Sequence, residues 1–321
     1  MGRKCALLML MCLLILSGCG KEQSIDRVKD KVKIGIMLSD VGLGDQSYSD
    51  SAFSGLVHAR DELGILFDYR EVKDTETYEK GLIELVEQGN DVVVGLGFMI
   101  QEDLEKVAKK YPEQRFVLVD AVSELENVTS ITFKADQGSY LAGVVAALTT
   151  KSNVLGFIGG ADVPVIRQFS EGFKKGARAV KPDITIIEKY AGSFGDDKLG
   201  SQLAKQMIAQ KVDVVYAAAG FTGVGALKEA QRAKVLAIGV DTDQYFYAEK
   251  AVVTSMLKNV DVAMFEIATQ LMEAGEVTEK QLELGLAENG VGLAPIRIIS
   301  LTKAQEDRLK QEKEKIANGK N

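Results

Sequence analysis

A chain of 321 residues that is 46% hydrophobic and 26% charged can bury one large or two medium cores, and its composition excludes intrinsic disorder. A net charge of −7, no Trp and no interleaving of basic with aromatic residues argue against a nucleic-acid partner. One histidine, His58, and three cysteines leave little for zinc sites or histidine-based triads.

The N-terminus speaks for export. Arg3 and Lys4 precede an apolar run from Ala6 to Leu16, which is shorter than the roughly 20 residues a spanning helix needs and suits a signal-peptide core. Leu16-Ser17-Gly18-Cys19 resembles a bacterial lipobox, in which cleavage precedes the cysteine and the thiol takes a diacylglycerol. Residues 1–18 are therefore expected to be a signal peptide. Cys19 is expected to be the lipidation site, and residues 19–30 a polar tether. Cys5 and Cys12 leave with the signal, so the mature chain keeps one cysteine and no internal disulfide.

From Val32 onward, short β-branched runs alternate with amphipathic stretches. Strands are predicted at Val32–Leu38, Ile65–Glu71, Asp91–Leu96, Arg115–Asp120 and Val128–Phe133, with helices over Ser51–Leu63, Thr75–Gln88 and Gln101–Lys110. The pattern then restarts. Helices are predicted at Gly138–Thr149, Val165–Val180, Asp197–Gln210 and Gly223–Ala233, with strands at Val154–Ile158, Ile184–Tyr190, Val212–Ala217 and Val235–Val240. Continuous apolar strands between helices indicate parallel sheets covered on both faces, and two series of similar length indicate two similar α/β lobes. The charged tail from Lys303 to Asn321 reads as a fraying surface helix.

Ligands of open α/β sheets bind beyond the carboxyl ends of the strands, which draws attention to Asp40, Asp45, Asp120, Gly220 and Asp241. The loop Asp40–Ser51 carries hydroxyls and amides before a helix, and these can hold a ligand or simply cap the helix. Gly220-Phe221-Thr222-Gly223-Val224-Gly225 is offset from a dinucleotide fingerprint, so it reads as a close backbone approach to some ligand. Phe194, on Ala191-Gly192-Ser193-Phe194-Gly195-Asp196, is placed for stacking on a flat ligand, with core packing as the alternative. Asp241 ends a strand where it can cap a helix or accept two adjacent hydroxyls. No nucleophile elbow, P-loop or histidine-bearing metal spacing is present, so neither an enzyme nor a cofactor is expected.

Together these residues resemble the basic membrane protein family of lipoproteins, which includes purine nucleoside receptors serving ABC importers. The resemblance runs from Val32 to about Leu301. It rests on nine ordered motifs: Gly44 to Ser49 with Gly55, Phe116 to Asp120, Gly138 to Gly143, Gly156 to Gly160, Phe169 to Gly176, Gly192 to Asp196, Ala219 to Gly223, Ile238 to Asp241, and Thr254 to Lys258. It implies a type I periplasmic-binding-protein fold, with two doubly wound parallel-sheet lobes joined by a three-crossing hinge near Lys134, Lys258 and Glu276. The lobes would be 31–134 plus 259–276 and 135–258 plus 277–321.

The resemblance also implies roles. Asp120 would meet the purine edge and Phe194 would stack on the base. Ser49 and Ser51 would lie near the nucleoside, with Asp45 and Tyr48 on the same loop. Gly220, Asp241 and Lys258 would contact the ribose. Where the family has an aromatic in the first loop and Phe-Asn further on, this chain has Leu43 and Gly44, then Tyr48-Ser49, which weakens the base sandwich unless Tyr48 supplies one face. The implied partners are a small-molecule nucleoside, ABC permease subunits and a membrane reached through the lipid on Cys19, for a monomer facing the extracytoplasmic side. The alternatives are a surface lipoprotein with a degenerate cleft acting in signalling or adhesion, and a receptor for a sugar or other small polar solute.

Overall fold

The computed structural model describes residues 31–319; the expected signal peptide, the tether and Cys19 lie outside them. The first series comprises β1 (Lys33–Met37), α1 (Tyr48–Leu63), β2 (Leu66–Arg70), α2 (Val72–Thr75), α3 (Tyr78–Glu87), β3 (Val92–Leu96), α4 (Gln101–Lys110), β4 (Arg115–Val119) and β5 (Val128–Phe133). The second comprises α5 (Ala135–Thr149), β6 (Val154–Gly159), α6 (Pro164–Val180), β7 (Thr185–Tyr190), α7 (Asp197–Ile208), β8 (Val214–Ala218), α8 (Gly220–Ala233), β9 (Leu236–Asp241) and β10 (Val252–Lys258). The chain closes with α9 (Val260–Ala274), β11 (Gln281–Leu284), β12 (Val291–Leu293) and α10 (Lys303–Ala317).

These strands form two six-stranded sheets of matching order, β11-β5-β4-β3-β1-β2 and β12-β10-β9-β8-β6-β7. Every pairing in the first is parallel, and in the second only β10–β12 is antiparallel. The type I two-lobed α/β architecture is therefore the fold of this chain. Val92, Val93 and Val94, or Val214 and Val215, are fully buried at successive positions. Helices cover both faces of each sheet, and burial on both faces turns the period-2 pattern into a continuous apolar run.

The chain passes between sheets after β5, after β10, and between β11 and β12. The third passage is not near Glu276. Gln281–Leu284 pair in parallel with Ser130–Phe133, so this strand belongs to the first lobe and residues 285–290 make the crossing. QLEL is a half-exposed edge strand without an apolar run, which hid it in the sequence.

Each lobe packs its first helix against the helix that follows a crossing, at closely corresponding points. A Cβ built on Gly55 of α1 would lie 2.3 Å from the Asp261 carbonyl oxygen of α9. One built on Gly172 of α6 would lie 2.2 Å from that of Asp136 in α5. Backbones this close leave no room for a side chain, so glycine is required at both positions.

Three helices start three residues before their apolar period does: α1 at Tyr48, α5 at Ala135 and α8 at Gly220. Their first turns face the cleft or the hinge, so the sequence gives no core-facing signal there. The single helix expected over Thr75–Gln88 is broken into α2 and α3 at Glu76, whose φ is 70°. The terminal helix α10 is anchored rather than frayed. Thr302 and Gln305 form a capping box, Ile316 is buried, and the Tyr140 hydroxyl of α5 donates to Glu312.

Candidate functional site

The fourth strand of each sheet order from the far edge, β4 in one lobe and β9 in the other, ends in an aspartate with left-handed backbone. Asp120 has φ 68° and Asp241 φ 62°. That conformation is sparsely populated by non-glycine residues, though aspartate tolerates it better than most, and it is held only where the surroundings impose it. Both side chains line one interlobe cleft of about 650 Å³, measured out to its open mouth. From the first lobe come Ser39, Asp40, Val41, Asp45, Tyr48, Gly97, Phe98 and Met99; from the second come Val165, Ile166, Phe169, Phe194, Ala219, Gly220 and Val240. Lys258, at the end of β10 beside the hinge, forms the floor with Asp120.

The charges are arranged unevenly. The Lys258 ammonium contacts Asp120, and both side chains are almost wholly buried. It also lies 4.7 Å from the ring centre of Tyr48, 5.1 Å from that of Phe133 and 5.8 Å from that of Phe169. Three ring faces and a carboxylate thus compensate one buried cation. The Tyr48 hydroxyl is buried with no hydrogen-bond partner. Burial first, then the negative charge of Asp120, pushes its ionisation well above the usual tyrosine range. It is a neutral polar group at the cleft, within reach of the Asp120 carboxylate.

Asp241 has no direct cation. Its Oδ2 accepts from the Ser47 hydroxyl of the opposite lobe. Burial raises its pKa, opposed by the nearby Lys258 charge and the Ser47 bond. Asp40 is likewise raised by burial.

The loop before α1 is organised by Asp45. Its carboxylate accepts from the backbone N–H of Ser47 at 2.9 Å, Ser49 at 2.6 Å and Asp50 at 3.2 Å. Burial nevertheless pushes Asp45 up to about 6, against those three bonds. Asp45 lines the cleft, but its capacity is largely spent on capping the helix.

Phe194 sits under Gly160, where a built Cβ would lie 2.2 Å from the ring. Its carbonyl accepts from Thr222 N–H at 2.9 Å, and the Thr222 hydroxyl accepts from Asp196 N–H at 2.8 Å. The aromatic is therefore held on a tied loop, with its ring at the cleft.

Of the residues expected at the site, Asp45, Tyr48, Asp120, Phe194, Gly220, Asp241 and Lys258 converge on the cleft. Ser49 and Ser51 do not line it. Both lie inside α1, where the Ser49 hydroxyl bonds that of Ser39 at 2.7 Å and the Ser51 hydroxyl accepts from Asp261 N–H at 3.3 Å. They fasten the helix to the loop after β1 and to α9. The sequence reasoning missed Phe98 and Met99, which follow Gly97 at the end of β3, and Val165, Ile166 and Phe169, whose spacing on α6 reads as a core stripe. The strand-end rule could have found the first two, while nothing local separates the α6 residues from core. It also missed Ser47, which looks like an ordinary helix cap.

The site offers a ring surface, a buried phenol, two strand-end carboxylates and one ammonium. Among the described residues no group of three or more His, Cys, Asp and Glu side chains is placed to hold a metal ion, and no helix is long and apolar enough to cross a membrane. Stacking and hydrogen bonding to a small polar molecule are the chemistry these groups support.

Residues 31–320 match the family model described as ABC transporter substrate-binding protein PnrA-like. The chain is 33% identical to the ABC transporter nucleoside-binding protein BmpA of Lactococcus lactis, over 95% of this chain and 93% of that one. It is 34% identical to an uncharacterised lipoprotein of Pyrococcus abyssi, over 91% of this chain and 76% of the relative. Among solved structures, an ABC transporter solute-binding protein from Aeropyrum pernix superposes with a TM-score of 0.82 at 27% identity, covering 90% of this chain and 92% of the other. With the two-lobed fold and the interlobe cleft, these matches establish that the chain belongs to the PnrA-like (Bmp) family of ABC transporter substrate-binding proteins.

Proposed function

We propose that the chain is the solute receptor of an ABC importer and holds a purine nucleoside, unaltered, between its lobes. The observation that carries this is the convergence on one cleft of the Phe194 ring from one lobe, Asp120 from the other, and Asp241 with Lys258 beside the hinge. The base stacks on Phe194, with the polar base edge toward Asp120 and the Tyr48 hydroxyl. The ribose meets Asp241, the Gly220 backbone and the N–H groups of Lys258 not spent on Asp120. Closure around such a ligand removes water and strengthens each of these bonds. Export and anchoring through a lipid on Cys19, presentation to permease subunits on the extracytoplasmic side and a monomeric state complete the proposal. The nucleoside-binding relative and the lipoprotein relative support it.

Thermal unfolding of the full chain in detergent, with guanosine, inosine, adenosine, free ribose and hexoses added in turn, tests it. A ligand bound only by the folded state adds about 2.7 kcal/mol at a hundredfold excess over its Kd. Stabilisation by a nucleoside but not by ribose is expected. Stabilisation by a hexose alone, or by nothing in the panel, overturns the proposal.

A further inference from the structure

The loop before α1 and the stretch after β9 meet across the lobes beside the cleft, not inside it. Gln46, Ser47 and Gln244 do not line the cleft, yet they join the two lobes directly. Gln244 opens a short 3₁₀ turn, Gln244–Tyr247. Its Nε2 donates to the Gln46 carbonyl at 3.0 Å, and its Oε1 accepts from Val240 N–H at 3.0 Å. Its backbone N–H donates to the Ser255 hydroxyl at 3.0 Å. Gln244 is fully buried, and Gly239 makes room for it: a built Cβ there would lie 2.9 Å from the Gln244 side chain.

Each lobe prepares its own half of this contact. Gln46 is held in left-handed backbone, φ 56°, and its N–H donates to Asp50 at 3.0 Å. On the other side Arg297 pairs with Asp243 at 2.8 Å and lies 4.7 Å from the ring centre of Tyr245, so both neighbours of Gln244 are fixed. Two more contacts follow the same seam. Ser47 makes no capping bond, because Asp45 accepts from first-turn N–H groups of α1 in its place, and its buried hydroxyl donates to Asp241. Val41 faces Gly195, where a built Cβ would lie 3.4 Å from Cγ2 of the valine.

Opening the lobes exposes these groups to water, so each bond favours closure only by its net worth over hydration. For one bond that is about threefold to tenfold in the closing equilibrium. Removing the Gln244 amide goes further, because the Gln46 carbonyl is then unpaired when the lobes are closed and hydrated when they open.

We infer that Gln244 is a latch between the lobes: a positioning residue that favours the closed cleft through bonds outside it, and so sets how long any ligand is held without choosing among ligands. This rests on the proposal that the chain is a receptor closing on a solute, and it separates retention from recognition. Ser47 contributes to the same seam but acts on Asp241, which also faces the ligand. Gln244 touches neither the ligand nor a residue side chain that does.

The test is pulsed electron paramagnetic resonance of the lipidated mature chain in detergent, spin-labelled at Glu124→Cys in the first lobe and Lys198→Cys in the second. Both positions are exposed. The distance distribution is recorded without ligand. In Gln244→Met, close in shape but unable to make these bonds, the ratio of short to long distances is expected to fall about threefold or more relative to wild type. Ser47→Ala should shift it the same way, and secures the test if the methionine variant folds poorly. In stopped-flow displacement, guanosine, inosine and adenosine should each leave Gln244→Met about threefold to tenfold faster, by the same factor for all three. A wild type found only at the long distance overturns the inference. So does a variant whose urea midpoint falls while its distances stay those of wild type, the mark of a purely structural role, or faster release of one nucleoside alone. Failure of all three nucleosides to bind removes the nucleoside proposal only, since the distance measurement uses no ligand.

Discussion

The two lobes share one scaffold and use it differently. Each has the same strand order, a helix after its first strand that starts at the cleft, and an aspartate in left-handed backbone at the end of its fourth strand along the chain. In the first lobe α1 follows a long loop clamped by Asp45 and brings Asp45 and Tyr48 to the cleft. In the second, α6 follows a short loop, begins with Pro164, has no side-chain cap at Val163, and brings Val165, Ile166 and Phe169. The strand-end aspartates diverge too: Asp120 is paired with Lys258, whereas Asp241 has only the neutral hydroxyl of Ser47. The repeated backbone determines where a ligand can sit, and the loops and caps determine what each wall offers it.

The aspartates give the largest test of that contrast. Removing one member of a buried ion pair strands the other, at a cost of about 3–5 kcal/mol. Lys258→Met should therefore lower stability without ligand by that amount, because Asp120 is left charged and about 7% exposed. Adding Asp120→Asn should restore most of the loss. Asp241→Asn keeps an oxygen that can accept from Ser47 and removes a buried charge, so its cost should stay below about 1 kcal/mol. Urea denaturation of the three variants beside the wild type measures this; equal costs at Lys258 and Asp241 would erase the distinction between the lobes.

The helix starts give a second test, through pH. Folded Asp45 titrates at about 6 and an unperturbed aspartate at 3.8, so the folded protein holds this proton more tightly. The associated stability is complete below the unfolded value and is lost as pH rises through 6. Relative to Asp45→Asn, the wild type should lose on the order of 2–3 kcal/mol between about pH 4 and 7. The change should appear in hydrogen exchange of the first turn of α1 and not of α6, whose start carries no carboxylate within its cap. An identical response in both helices would place the titrating group elsewhere.

How far the sequence revealed this depends on what each residue is for. Central strands such as β3 and β8 are legible because burial on both faces leaves apolar runs, whereas β11 and β12 are short edge strands, and β11 pairs with Ser130–Phe133, over a hundred positions away. Asp241 and Phe194 are legible as cleft residues because a strand end and a glycine loop both lie at the carboxyl edge of the sheet, although capping and core packing were open alternatives there. The serines of the first loop are not. Ser47, Ser49 and Ser51 are chemically alike, and which hydroxyl turns to the loop after β1, to the neighbouring helix or to the opposite lobe shows only once Asp45 has taken the cap. The Lys258–Asp120 pairing is hidden for a related reason: each residue resembles a ligand contact on its own, and only the folded hinge shows that they contact one another.

The smallest effect comes from giving α6 what α1 already has. Val163 has the extended backbone of an N-cap, φ −132° and ψ 159°, but no side-chain oxygen for the first-turn N–H groups. Val163→Thr keeps the β-branched shape that packs against the core and adds that oxygen. A cap of this kind contributes about 0.5–1 kcal/mol, partly offset by replacing a methyl with a hydroxyl. The variant should therefore be more stable by about 0.5 kcal/mol in urea, with ligand affinity unchanged because Val163 does not line the cleft. A loss of stability would mean that the apolar contact at Val163 outweighs its missing cap. The second lobe would then have given up the cap for packing, where the first keeps Asp45 to cap α1 and so leaves Ser47 free to reach Asp241.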